Sequence, residues 1–271
     1  MWNVNRVHLH FGLEKPVRIL HLTDVHIMKV YEDESEAHQK FAAWRIPVFE
    51  VPGSSPSRLL EEALDYGKDF DCTVVTGDVV DCVSKANYDE MRRIFAGNDC
   101  MFTLGSHEYI QMHRHAERTH EHRDSKQEMW EELQSIFPGD IGFDSRIVGG
   151  VNIITADNAS FAWTQDQYDR FREEVAKGYP ILIFTHTPMQ MPSGDKMVDT
   201  ASCHGHMRKY GYSEEEIRLS NEVTDYLANE PLVRGYFAGH CHLVFDAPYR
   251  GKPCYATGAL FTRDLTEITI D

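Results

Sequence analysis

VRILHLTDVHI (residues 17–27) decides the reading of the fold, because a short apolar run ends abruptly in a carboxylate and an imidazole. A run of this length reads as a strand buried on both faces. Asp24 and His26 stand just past its C-terminal end, where α/β folds build ligand sites. The same grammar recurs along the chain. CTVVTG (72–77) leads to Asp78 and Asp81, CMFTLG (100–105) to His107, ILIFTH (181–186) ends in His186, and VRGYFAGH (233–240) leads to His240 and His242. VNIITA (151–156) is a sixth run, followed by Asp157 and Asn158.

Between these strands lie helical stretches with start signals: Ser55 before Pro56, and capping boxes Ser125 to Glu128, Thr164 to Gln167 and Ser213 to Glu216. The C-terminal third changes character, since FDAPYR, KPCYAT and LTEITID are separated by Gly, Pro and charged turns and read as strands alone. The alternation predicts an α/β fold, a layered αββα sandwich of two mixed β-sheets flanked by helices. No linker or repeat divides the 271 residues. A single domain over residues 1–271 is expected, with lid insertions near 110–135 and 189–212.

Lysine and arginine number 27 against 43 aspartates and glutamates, a net charge of −16, which argues against a nucleic-acid or anionic-membrane partner. A phosphate ester bound in that field needs a concentrated positive charge, and metal ions are the strongest source. Six cysteines lie far apart with no C-x-x-C pair and read as reduced thiols. No apolar run is long enough to span a bilayer and no signal peptide opens the sequence, so a cytoplasmic protein is expected.

Hard metals take oxygen and imidazole ligands, and an i, i+2 pair on an extended strand end supplies two from one face. Asp24 and His26 form one such pair, His240 and His242 another. If extended, the second pair turns Cys241 the other way, as a packing residue. Asp78 and Asp81 stand three apart after their strand, and Gly105-Ser106-His107-Glu108 follows the next.

D-x-H, G-D-x-x-D, G-x-H-E, T-H and G-H-x-H, in this order and all at strand ends, resemble the calcineurin-like metallophosphoesterase superfamily from Asp24 to His242. The resemblance implies two metal ions, Mn, Fe or Zn, with Asp24, His26 and His242 on one, His186 and His240 on the other, and Asp78 bridging. It implies hydrolysis of a phosphomonoester or phosphodiester by attack of a metal-bound hydroxide on phosphorus. His107 would protonate or stabilise the departing oxygen and Asp81 would orient its imidazole. Ser106 stands where the family places an asparagine on the second metal, so looser binding is expected there.

Cys82 replaces the arginine that phosphoprotein phosphatases carry after the second Asp, and Asp81 replaces the iron-binding tyrosine of purple acid phosphatases. Both departures argue against those branches. The opening RILHLTDVH is similar to the cyclic-nucleotide phosphodiesterase group. The expected substrate is a small-molecule phosphate ester, nucleotides being the leading class. A nuclease and a catalytically impaired phosphoesterase-fold scaffold are the rival readings.

Other polar tracts have plainer readings. His113, His115, His120 and His122 lie in a charged stretch and read as a solvated segment or lid edge. Cys203, His204 and His206 lack a second cysteine pair for a zinc finger. Asp157 and Asn158 suit a turn, Tyr109 suits the core, and Arg114, Arg208 and Lys209 read as solvated charges.

Overall fold

A computed structural model describes residues 1–50, 53–117, 123–137 and 139–271. In chain order its elements are β1 (Asn3–Leu9), β2 (Val17–Leu22), α1 (Glu36–Phe49), α2 (Pro56–Gly67), β3 (Cys72–Val75), α3 (Lys85–Phe95) and β4 (Met101–Phe102). Then come α4 (Met112–Glu117), α5 (Arg123–Gln134), β5 (Phe143–Val148), β6 (Val151–Ala156), α6 (Gln165–Ala176) and β7 (Ile181–Phe184). The last third holds β8 (Gln190–Ser193), β9 (Lys196–Asp199), α7 (His204–Lys209), α8 (Glu214–Asn229), β10 (Val233–Ala238), β11 (Phe245–Asp246), β12 (Cys254–Ala256) and β13 (Asp264–Ile270).

Two mixed sheets form the centre. One runs β1-β13-β2-β3-β4, with β2, β3 and β4 parallel and β13 antiparallel to β2. The other runs β11-β12-β10-β7-β6-β5, with β6, β7, β10 and β12 parallel. The period of two along β2 shows how they stack. Val17 and Ile19 join a core that includes Ile153, Leu182, Phe184 and Phe237 of the second sheet, so that face lies between the sheets. Leu20 and Leu22 turn outward to Leu59 and Leu60 of α2, Met91 of α3 and Leu133 of α5. On the far side, α6 and α8 cover the second sheet through Phe171, Val223 and Leu227. This is the αββα layering expected from the sequence. Among the described residues no helix is long and apolar enough to cross a membrane.

Local signals explain most element ends. Ser55 caps α2 with Pro56 at its first position, and Thr164 and Ser213 form full capping boxes for α6 and α8. The expected box at Ser125 is not one: α5 starts at Arg123, and the buried Ser125 hydroxyl donates to the Tyr109 carbonyl at 2.8 Å. The run at 100–105 forms only a two-residue strand, because its remaining residues turn into the loop that carries His107. Residues 190–199 form the hairpin β8–β9. His120 and His122, and the side chain of Arg114, lie outside the described residues.

Candidate metal centre

Because β2, β3 and β4 run parallel in one sheet, and β7 and β10 in the other, the strand ends carrying polar residues meet at one rim. Backbone bonds fix the meeting: Asp24 N donates to Gly77 O at 3.1 Å and Gly239 N to His186 O at 3.0 Å. His240 N donates to Asp24 Oδ2 at 2.8 Å, joining the two sheets directly. Gly77 is at φ 77°, and a Cβ there would collide with the Gly105 backbone, so only glycine lets the two loops approach. A Cβ at Gly239 would likewise strike Thr23.

The i, i+2 pairs are not extended, which corrects the geometry expected for them. Asp24, His26, Asp78, His240 and His242 all lie in left-handed backbone, with φ between 51° and 68°. Such backbone is uncommon for residues with a Cβ and persists where surrounding structure over-determines it. The side chains converge through these tight turns and not through the pleat of a strand. Cys241 is half-buried with a free thiol, and burial raises it to about 11.

Two separate groups of donors result, Asp24 with His26 and His242, and Asp78 with His186 and His240, and a third, His26 with Asp81 and His107, shares His26 with the first. His26 Nε2 faces His242 Nε2 at 3.0 Å, and His186 Nε2 faces His240 Nδ1 at 3.1 Å. Asp78 Oδ2 lies 3.2 Å from His186 Nε2 and 3.9 Å from His26 Nε2, between the groups. The opposite ring nitrogens are engaged: His26 Nδ1 with Asp81 Oδ1 at 2.9 Å, and His186 Nδ1 with the Thr76 carbonyl at 2.8 Å. Those acceptors hold the Nδ1–H and turn each Nε2 toward the pocket, so that release of its proton presents a lone pair there, the arrangement a metal ligand requires. Asp24 Oδ2 accepts from Thr23 and His240, while the buried Oδ1 has no hydrogen-bond partner. The donor set fits hard or borderline cations of the Mn, Fe or Zn type.

Asp81 has a wider role than orienting one imidazole. His107 Nδ1 lies 3.1 Å from its Oδ1 and 2.9 Å from its carbonyl oxygen. Arg45, on α1, donates from Nε to Oδ2 at 2.5 Å and from its terminal nitrogen to Oδ1 at 2.8 Å. Phe49, one helical turn on, stacks on His26 at 4.6 Å with planes 7° apart. The fully buried Glu108 accepts from Gly105 N at 2.7 Å, Asp78 N at 2.9 Å and Val79 N at 2.5 Å, stitching two site loops together. Arg45, Phe49 and the role of Glu108 escaped the sequence reading. The glutamate of G-S-H-E was in view there, but nothing in α1 marks Arg45.

Burial disfavours charge on His26, but the neighbouring carboxylates of Asp24, Asp81 and Asp78 outweigh it and lift the imidazole to about 9. Burial opposes charge on His186 too, and the Asp78 carboxylate reverses this, to about 10. Burial and the neighbouring His186 together push His240 down to about 4. Burial would raise Asp24 and Asp78, but the imidazoles around them hold both well below the ordinary carboxylate range. Protons and a cation therefore compete for the same nitrogens.

Ser106 lies in the loop beside Asp78, whose Oδ1 accepts from His107 N at 2.9 Å, and the other candidates fall away from this rim. Ser106 precedes the turn bearing His107, and its hydroxyl caps nothing. Tyr109 is buried in the core. Asp157 pairs with Lys126, Arg208 with Glu214, and His204 meets Asn221 at 3.1 Å. His113 is exposed and His115 packs on Phe41. A separate group, His8, His10 and Asp271, lies largely exposed at the edge of the first sheet.

A family model of calcineurin-like phosphoesterases matches residues 17–244. No curated protein matches the chain significantly. Among solved structures, a dimetal phosphatase from Danio rerio is 11% identical with a TM-score of 0.52, over 90% of this chain and 88% of that one. A purple acid phosphatase from yellow lupin (Lupinus luteus) seeds is 15% identical with a TM-score of 0.51, over 96% of this chain but 44% of that one. At such identities these neighbours speak for the fold alone, whereas the family model spans most of the chain and every motif from Asp24 to His242. The chain belongs to the calcineurin-like phosphoesterase family.

Proposed function

We propose that the protein hydrolyses phosphomonoesters or phosphodiesters of small molecules with the help of two metal ions. The observation that carries this reading is Asp24 Oδ1, a buried acceptor without a donor, 3.2 Å from His242 Nε2 and 3.8 Å from His26 Nε2. A buried carboxylate oxygen left unpaired is costly, and a cation is the partner it could share with those two lone pairs. Asp24, His26 and His242 would hold one ion and His186 and His240 the other, with Asp78 between them and Ser106 at the edge. When bound, the ions supply the positive charge that polarises a phosphoryl group and acidifies water.

The chain's own residues do the rest. With Nδ1 held by Asp81, His107 has Nε2 left to give a proton to the departing oxygen. Burial opposes charge on His107, while the Asp78 and Asp81 carboxylates beside it favour the protonated form. Asp81, Arg45 and Glu108 hold the loops in place. Elemental analysis of purified protein together with turnover of p-nitrophenyl phosphate against bis-p-nitrophenyl phosphate tests the proposal. More than one equivalent of metal with turnover of either ester is expected. Metals bound without turnover of any ester would contradict it.

A further inference from the structure

Phe161 is a bulky residue in left-handed backbone, φ 67°, which glycine or asparagine adopts far more readily. Its turn is held from several sides. Phe161 N donates to Asn158 O at 2.8 Å, and the Asn158 side chain donates to Thr187 O at 2.7 Å while accepting from Thr187 N at 2.9 Å. The Ser160 and Tyr212 hydroxyls meet at 2.7 Å. Thr187 directly follows His186, so the turn is bolted to a strand end of the metal centre. A turn built this firmly around a residue ill-suited to its backbone points to the side chain as the reason.

That side chain borders the centre. The half-buried Phe161 ring stands edge-on to His240, centroids 6.1 Å apart and planes at 87°. Against it lies the exposed His206 ring, at 5.4 Å and 15°, with Tyr210 at 6.0 Å. His206 belongs to the C-H-x-H tract that the metal centre leaves unused. Exposed side chains change rotamer within nanoseconds, so His206 can leave, while the backbone that carries Phe161 is fixed by its turn.

We infer that Phe161 is a stacking platform for a planar aromatic group of the substrate, with His206 as its displaceable cover. A ring one ester bond from phosphorus takes the place of the imidazole, which favours aryl phosphates over alkyl esters. The stacking is sequence-tolerant chemistry that any π-face can use. The inference rests on the proposed phosphoesterase reading for where phosphorus sits.

Phenylphosphonate and methylphosphonate, which cannot be hydrolysed, measure the platform apart from chemistry. With manganese-loaded protein, their dissociation constants are read by calorimetry and their inhibition constants by ester turnover. Phenylphosphonate is expected to bind roughly tenfold tighter, the contribution of one stacked ring. Phe161→Asn suits the left-handed turn, and in it the ratio should fall to about 1; His206→Ala should keep or enlarge the ratio. Phe161→Leu, which keeps bulk without a π-face, gives the same reading if the asparagine variant misfolds. A wild-type ratio near 1, or a ratio that survives both Phe161 changes, overturns the platform. Loss of all turnover with the phosphonate ratio intact would instead defeat the hydrolase reading and leave the platform standing.

Discussion

Replacing Arg45 by alanine removes two charge-assisted hydrogen bonds, at 2.5 and 2.8 Å, from a carboxylate with no solvent exposure. Breaking a buried ion pair by deleting one partner costs about 3–5 kcal/mol. Here the Arg45 side chain is 18% exposed, and Asp81 keeps two imidazole partners, which reduces the loss to about 2 kcal/mol. Activity should fall further than stability. Asp81 holds both His26 and His107, so its release misplaces a candidate ligand and the candidate acid together, and a misplacement of about 1 Å costs on the order of 100-fold. Urea unfolding followed by the midpoint, and kcat at saturating manganese, measure the two effects separately. Arg45→Lys, which offers one point charge for a two-pronged fork, should lie between. Free guanidinium added to Arg45→Ala should restore part of kcat. An alanine variant with wild-type midpoint and wild-type kcat would refute the chain of contacts from α1 to His107.

His107→Ala should retain its metals and fold while kcat falls about 10²- to 10⁴-fold, as assayed on an ester with a poor leaving group. Ser106→Asn restores the amide of the family motif and should tighten the weaker metal site on the order of tenfold in a manganese titration; unchanged affinity would count against a role for position 106. The pH dependence has a definite sign. His26 and His186 are raised to about 9 and 10, so in metal-free protein their contribution to stability is complete below the unfolded histidine value of about 6.5 and is lost as pH climbs through 9 and 10. Asp24 and Asp78 are depressed, and theirs is present above about 4 and lost as pH falls below it. Metal affinity should rise with pH over 6 to 9 as protons compete less for the imidazoles; calorimetric titration over that range checks this, and thermal unfolding from about pH 3 to 10 checks the two stability trends.

How much the sequence disclosed follows from which interactions are local. The strand ends were legible because each run is uniformly apolar and each ligand type stands directly after it, from Leu22 to Asp24 and from Ala238 to His240. The capping boxes at Thr164 and Ser213 were legible for the same reason. Helix α1 was not: Phe41 and Phe49 are buried, Trp44 and Val48 are exposed, and Pro47 sits inside, so no single apolar stripe announces a helix. Arg45 reaches the site only through Asp81, 36 positions away. Strand β1 hides because it pairs with β13 at the far end of the chain and buries only Val7 and Leu9. Left-handed backbone at five site residues was equally hidden, since it is imposed by the loops that meet around Gly77 and Gly239.

Manganese soaked into crystals, located by anomalous scattering, bears most directly on the pocket. Two peaks are expected, one against Asp24, His26 and His242 and one against His186 and His240, with Asp78 touching both. Peaks confined to the exposed His8, His10 and Asp271 group, or none within reach of Asp24 Oδ1, would contradict the assignment of these residues as a metal centre.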